Sequence, residues 1–318
     1  MSDKKEKIMV GGQAVIEGVM MRGPKLVATA VRTPDGKIQV ETKPVNSISD
    51  RFPILKKPML RGCVSLFESL IMGIKSLSYS AKMAGEEDEQ LSDKELAGTV
   101  AFAFVMAAVL FVAIPTGAAK LFHFITEDPL FLNLMEGVLR LVIFLAYIFG
   151  ISQMKDIQRV FMYHGAEHKT IACFEAGMPL TVENVQKYPR LHPRCGTSFL
   201  LIVMLVSIVV FAFLGWPDLL TRIASRVILL PVIAGISYEL IRLAGRSSNC
   251  IVCAATKPGL WLQYMTTRPP EDDMVEVAIE SVKAVLPQEE LVPGYGEYID
   301  KEQAAAEEEK TEAGADLI

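Results

Sequence analysis

The sequence predicts a mainly α-helical, polytopic membrane protein with four transmembrane helices arranged as two hairpins, preceded by a small cytoplasmic N-terminal region. Of the 318 residues, 51% are apolar and 22% are charged, and the mean hydropathy is +0.33, which is high for a soluble protein of this size. Four apolar runs reach the roughly 20 residues that a helix needs to cross about 30 Å of hydrocarbon. These runs cover residues 96–120, 129–150, 197–216 and 219–243.

A short connection joins the first run to the second, and another, built on Pro217, joins the third to the fourth. The four runs therefore form two hairpins. Buried helices of a large soluble core are the alternative, and the polar flanks of all four runs argue against it. Lys and Arg resist crossing the bilayer during insertion. Of the 32 basic residues, 15 precede the first run, six lie between the second and third runs, and none lies in residues 123–128. We therefore expect both termini and the central loop in the cytoplasm, although Arg222 and Arg226 near the outer end of the fourth run oppose this orientation.

The composition excludes several classes of protein. Five cysteines are too few for disulfide bonds to hold a chain of this length together, which excludes a secreted disulfide scaffold. The composition is neither collagen-like nor that of a wholly disordered chain. The first eleven residues lack the apolar core of a secretory signal peptide. A net charge of −5 gives no general attraction to nucleic acid, so no nucleic-acid partner is expected. The expected partner is the lipid bilayer, with another membrane protein or a second copy of the chain as further candidates.

The N-terminal region is predicted to contain a β-hairpin and an amphipathic helix. Residues 26–32 and 37–42 are rich in β-branched residues and flank a Pro-Asp-Gly turn, which is typical of a hairpin. Residues 58–84 place apolar side chains at helical spacing, so this helix lies on the membrane or caps the bundle. After the last run, 246–270 is predicted to be a short cytoplasmic segment and 273–286 a surface helix.

These features divide the chain into six segments. They are the cytoplasmic N-terminal region 1–95, the first transmembrane hairpin 96–150, the cytoplasmic loop 151–196, the second hairpin 197–245, the cytoplasmic C-terminal segment 246–287 and the acidic tail 288–318, which is predicted to be disordered.

The central loop carries His164, Glu167 and His168 in an H-x-x-E-H arrangement, within a predicted helix at 155–175. Residues four apart stack on one helix face, so the two histidines can present their imidazoles to one ion. This is the inverted zincin spacing, in which the histidines bind zinc and the glutamate activates a water molecule. So short a pattern also arises by chance, and the histidines would then be solvated surface residues.

His192 and Cys195 follow immediately before the third run, so three of the four histidines fall within 29 residues. If both join His164 and His168, a tetrahedral zinc site is closed and structural; if only three of the four bind, a water can enter and chemistry becomes possible. Glu167 favours the open site as a general base, and its alternative role is to orient a histidine. We predict a divalent metal, zinc, with His164, His168, His192 and Cys195 as candidate ligands and Glu167 as the candidate catalytic residue.

Three other features leave alternatives open. Cys250 and Cys253 could complete a Cys3His zinc knuckle with His192 and Cys195, form a redox pair, or pack as small apolar residues. The remaining cysteines are predicted to be packing residues: Cys63 and Cys173. The glycine-rich segment 11–24 forms either tight turns or a loop over the metal site, with Glu17 or Arg22 reaching it.

Charged residues inside the apolar runs are costly in hydrocarbon, so they should pair within the bundle or mark a polar path. Glu136 and Arg140 stand four residues apart in the second run, and Glu239 and Arg242 lie near the inner end of the fourth. Both a structural ion pair and a substrate or ion path are compatible with this pattern.

Five ordered motifs together resemble the YqhQ-like family of bacterial membrane proteins, over about residues 8 to 285. The motifs are GGQAVIEGVMMRGP at 11–24, RGCVSLFESL at 61–70, HGAEHKT at 164–170, HPRCGT at 192–197 and PGLWLQYMTT at 258–267. The resemblance implies a metal-dependent enzyme without naming a reaction, and it places His164, Glu167, His168, His192 and Cys195 at family motif positions. The C-x-x-C pair is not a feature of that family, which weakens the zinc-knuckle hypothesis.

Three functions remain open. The leading expectation is a metal-dependent hydrolase that acts on a membrane protein or lipid at the cytoplasmic face. The main alternative is a membrane adaptor or assembly factor stabilised by a structural zinc. A small transporter that uses Glu136, Arg140 and Glu239 is the third.

Overall fold

The computed structural model describes residues 9–85, 93–244 and 250–286, with side chains described except at 93, 244 and 250–256. The chain is mainly helical, with an N-terminal antiparallel sheet. The strands are β1 Gly11–Val15, β2 Gly18–Arg22, β3 Leu26–Arg32 and β4 Ile38–Pro44. The helices are α1 Ile48–Arg51, α2 Leu60–Ala84, α3 Asp93–Ala108, α4 Ile114–Ala118, α5 Pro129–Ile151, α6 Lys155–Glu175, α7 Val182–Gln186, α8 Gly196–Ala212, α9 Leu219–Ala244, α10 Cys250–Thr266 and α11 Asp272–Val285. A π-helical turn Val109–Ala113 joins α3 to α4, and 3-10 turns cover Pro53–Lys56 and Ala119–Phe124.

The N-terminal sheet has four strands in the order β1-β2-β3-β4, so the predicted two-stranded hairpin is only half of it. The predicted pair is present as β3 and β4, with Arg32 opposite Ile38. The prediction missed β1 and β2 because their glycines mask the alternation of strand residues. Their connection is a two-residue turn in which Glu17 has a positive φ of 48°. The glycine-rich segment therefore forms strands rather than a loop.

Helices cover both faces of the sheet. Val19, Met21 and Ala28 pack with α6 and α11 on one face, while Val15 and Met20 pack toward α2 on the other. Helix α11 is largely buried against β2 and β3, so the predicted surface helix at 273–286 is corrected. Its apolar residues recur at helical spacing, and only the neighbouring sheet makes that face an interior one.

A helical bundle carries the apolar runs. Three described segments are long and apolar enough to cross a membrane: Lys94–Phe124, Pro129–Ile151 and Leu219–Leu243. Helix α8 is equally apolar but has 17 residues, about 25 Å at 1.5 Å per residue. It packs against α5, α9 and α10. Most of the predicted short segment at 246–270 is the helix α10, which lies along α8, with Gly259 close to Ser198.

Candidate metal centre

Helix α6 presents His164 and His168 on one face, and the ring of His164 reaches Cys195, just before α8, and Thr266, at the end of α10. The ring centroids of the two histidines are 4.4 Å apart, as one helical turn requires. Gly165 lies between them, where a Cβ would collide with the carbonyl oxygen of Arg268. The backbone amide of Arg268 donates a hydrogen bond to the carbonyl of Phe161 at 2.8 Å, which fixes the segment after α10 against α6. The absence of a side chain at Gly165 therefore permits this close approach.

Cys195 enters the site as the residue that caps the N-terminus of α8. Its Sγ atom accepts a hydrogen bond from the backbone amide of Thr197 at 3.4 Å and lies 3.2 Å from the Nε2 atom of His164. Gln263 on α10 fixes the preceding backbone, because its side chain accepts from the amide of His192 and donates to the carbonyl of His192, both at 2.8 Å. Gln263 is fully buried and belongs to the PGLWLQYMTT motif, which was the available sequence signal for its role.

Backbone carbonyls fix the tautomer of both histidines. The Nδ1 atom of His164 lies 2.8 Å from the carbonyl oxygen of Thr266, and that of His168 lies 2.6 Å from the carbonyl oxygen of Arg190. A carbonyl only accepts, so each Nδ1 carries the hydrogen and each Nε2 keeps its lone pair for an ion. Burial lowers the pKa of His168, which favours the neutral imidazole that binds metals.

The ligand atoms of His164, His168 and Cys195 lie within 4.8 Å of one another. Zinc binds imidazole nitrogen at about 2.0 Å and thiolate sulfur at about 2.3 Å, so a modest adjustment of the three side chains would let them share one ion. Two neutral imidazoles and one thiolate form a donor set that suits zinc. The residues present therefore fit a divalent metal with three protein ligands.

His192 lies beside this group without joining it. Its ring centroid is 5.6 Å from that of His168, but its Nε2 atom faces the Oε2 atom of Glu175 at 3.6 Å. Glu175 also pairs with Arg194. Burial works to raise the pKa of Glu175, but its hydrogen bond with His192 and the charge of Arg194 outweigh burial and lower that pKa. Of the four candidate ligands, Cys195 therefore lies with His164 and His168, and His192 lies outside the group.

Glu167 is buried between α6 and the edge of the sheet. Its carboxylate accepts a hydrogen bond from the backbone amide of Gly12 in β1, and the ideal Cβ position of Gly12 lies 3.0 Å from the Cγ atom of Glu167. The Oε2 atom is buried and has no hydrogen-bond partner among the described residues. Burial raises the pKa of Glu167, while positive charge on His164 or His192 would lower it. A buried carboxylate with one oxygen unpaired is suited to accepting a proton.

The other residues of the glycine-rich segment do not reach the metal centre. Glu17 pairs with Arg159, whose Nε atom lies 2.6 Å from Oε1, and Arg22 pairs with Glu68 at 3.3 Å. The residue of this segment that approaches the site is Gly12. The side chains of Cys250 and Cys253 lie outside the described residues, so the zinc knuckle, the redox pair and apolar packing all stay predictions.

The charged residues of the apolar runs pair differently from one another. Glu136 and Arg140 form the predicted ion pair at 2.7 Å. The carboxylate of Glu239, however, accepts from Arg61 on α2, with the Nε atom 2.7 Å from Oε1. This contact joins α2 to α9, which are far apart in the sequence, so the spacing of residues along α9 could not predict it.

Comparison with known proteins gives the family. A family described as "Protein of unknown function (DUF1385)" matches residues 57–288. The chain is 38% identical over 307 residues to "Uncharacterized protein YqhQ" of Bacillus subtilis (strain 168), covering 92% of this chain and 96% of that protein. No solved structure matches. The resemblance of the five sequence motifs is thereby confirmed, and the chain belongs to the DUF1385 family, with YqhQ as a relative.

Proposed function

We propose that this protein is a membrane-embedded, zinc-dependent hydrolase whose site lies at the cytoplasmic face. The observation that carries the proposal is the convergence of His164, His168 and Cys195 beside the buried carboxylate of Glu167. Three protein ligands leave a coordination position for a reactant, whereas four would close a tetrahedral site.

We propose a fourth membrane span in addition to the three segments that are long and apolar enough to cross a membrane. Helix α8 is apolar throughout and packs between α5, α9 and α10, so we assign it as the third of four spans, arranged as two hairpins. The distribution of basic residues around these spans supports a topology in which both termini and the metal centre lie in the cytoplasm. A protein or lipid of the same membrane is then the nearest substrate class.

Each residue of the site has a distinct task. A bound divalent ion would supply Lewis acidity, polarising a carbonyl and acidifying water. His164 and His168 would bind the ion through their Nε2 atoms, because the carbonyls of Thr266 and Arg190 accept from their Nδ1 atoms. Glu167 accepts the proton of the attacking water at its Oε2 atom and delivers it to the leaving group. The amide of Gly12 holds the other carboxylate oxygen in place.

The first experiment asks whether metal is present. Protein purified in detergent should contain about one zinc per chain by inductively coupled plasma mass spectrometry, and His164→Ala should lose it. His123→Ala is the matched control, because His123 packs on Trp216 at the other end of the bundle. Equal zinc in wild type and His164→Ala would contradict the proposal.

The second experiment asks whether the site is catalytic. Glu167→Gln should retain zinc while losing hydrolysis of a fluorogenic phospholipid and of fluorogenic casein, tested in mixed micelles. Retained turnover of either substrate in this variant would contradict the role of Glu167 as a base.

A structural zinc is the second candidate, because the ring of His192 lies 5.6 Å from that of His168 and could turn to supply a fourth ligand. The protein would then be an adaptor or assembly factor for other membrane proteins. X-ray absorption showing four protein ligands and no bound water would favour this candidate over the hydrolase. Transport receives no such support, because the carboxylate of Glu136 is fully paired with Arg140 and Arg226.

A further inference from the structure

A second charged cluster lies at the opposite end of the bundle from the metal centre, between α5 and the first two turns of α9. It contains four buried charged residues: Glu136, Arg140, Arg222 and Arg226. One carboxylate oxygen of Glu136 accepts from Arg140 at 2.7 Å, and the other accepts from Arg226 at 2.8 Å. Thr116 adds a hydroxyl hydrogen bond to Glu136 at 3.0 Å. Glu136 is thus saturated by its partners.

Positive charge exceeds negative charge in this cluster. Three guanidinium groups meet one carboxylate, and in the described part of the chain these arginines form no ion pair with any other acidic residue. Two unneutralised positive charges are costly in a protein interior of low dielectric constant, more so within a membrane. Asp218 and Asp128 at this end are exposed, and their carboxylates accept from backbone amides at the starts of α9 and α5.

Arg222 has the fewest polar partners of the three arginines. It is 2% exposed, its Nη2 atom donates to the carbonyl of Thr116 at 3.2 Å, and its Nε and Nη1 atoms are buried without partners among the described residues. The Nε atom of Arg226 is also buried without a partner in the part of the chain that the structure describes. Buried N–H donors of this kind are rare unless a bound ion, a ligand or an ordered water satisfies them.

Trp216 covers the cluster. The guanidinium carbon of Arg222 lies 3.9 Å from the centroid of the Trp216 ring. Trp216 belongs to the connection between α8 and α9, where Gly215 adopts a positive φ of 69° and Phe213 is exposed. A surface connection that covers buried donors can move aside without disturbing the helices.

We propose that Arg222 and Arg226 bind a phosphate group beneath Trp216. Guanidinium groups bind phosphate oxygens through paired N–H donors, and a phosphate carries one or two negative charges, which matches the excess of the cluster. The same chemistry is offered by a lipid headgroup and by free phosphate. The site is independent of the metal centre, since it shares no residue with it.

Trp216 provides the probe for the test. The chain has two tryptophans, so Trp261→Phe leaves Trp216 as the emitter. The full chain in neutral detergent is titrated with sodium phosphate at constant ionic strength. Separately, it is placed in nanodiscs of phosphatidylcholine with or without phosphatidylglycerol. A saturable change in emission with phosphate identifies a free anion, and a change only with phosphatidylglycerol identifies a lipid headgroup.

Arg222→Gln in this background should weaken binding by about tenfold or more, because hydrogen bonds to a charged group are lost. Lys120→Gln is the matched control, because it removes an exposed cation at the same end of the bundle. If Arg222→Gln does not fold, Arg222→Lys retains the charge but lacks the paired donors, and should bind several-fold more weakly. Emission that responds to neither ligand, or an equal loss in Lys120→Gln, would overturn the proposal.

Discussion

The Nε2 atom of His164 lies 3.2 Å from the Sγ atom of Cys195, although the two residues are 31 positions apart, His164 within α6 and Cys195 at the N-terminal cap of α8. The approach depends on α10, whose Gln263 holds the backbone before Cys195 and whose Thr266 carbonyl orients His164. Three segments of the chain must therefore pack correctly before the candidate ligands meet.

We expect Cys195→Ser to lower the zinc content of the purified protein more than His192→Ala does. The ligand atom of Cys195 lies with those of His164 and His168, whereas the Nε2 atom of His192 faces Glu175. Zinc per chain, measured by mass spectrometry after dialysis against a weak chelator, gives the comparison. A larger loss in His192→Ala would mean that His192, not Cys195, is the third ligand.

Gly165→Ala should destabilise the protein by about 1 to 3 kcal/mol, because the new methyl group meets the carbonyl of Arg268 and overpacks the contact. Gly150→Ala is the control, since no heavy atom of the described residues lies within 4 Å of its added Cβ, and we expect little change or a small gain. Thermal unfolding followed by circular dichroism checks both. Equal melting temperatures for the two variants would contradict the close approach at Gly165.

The ion pair between Arg61 and Glu239 should couple α2 to α9 only weakly, as is usual for ion pairs that are open to solvent. Both side chains are about 30% exposed, so solvent screens their attraction. A double-mutant cycle of Arg61→Gln and Glu239→Gln, read from thermal unfolding, measures the coupling. The same cycle on Arg242 and Glu239 serves as the comparison. A larger coupling there would show that Glu239 pairs along its own helix.

Cys173 should react slowly with iodoacetamide in the folded protein. Burial raises the pKa of its thiol to about 11, so the reactive thiolate is scarce at pH 8 and increases as the pH approaches 11. Mass spectrometry of tryptic peptides gives the labelling rate at each pH, with the partly exposed Cys63 as the internal standard. Equal rates at both cysteines at pH 8 would show that Cys173 is accessible.

The sequence alone predicted the features that depend on local pattern. Hydropathy placed the apolar helices, helical spacing placed α2 and α6, and the H-x-x-E-H arrangement placed His164 and His168 on one face. The turn at Pro34-Asp35-Gly36 predicted β3 and β4. Each of these follows from residues that are close along the chain, because helix and strand periodicities are local.

Only the tertiary structure decided which distant residues meet. It selected Cys195 beside the histidines, turned His192 toward Glu175, and brought Gly12 of the sheet to Glu167. It also gave Glu239 a partner on α2 and gathered Arg222 and Arg226 around Glu136. These contacts depend on how the helices and the sheet pack against one another, and the helix and strand periodicities of the sequence do not encode that packing.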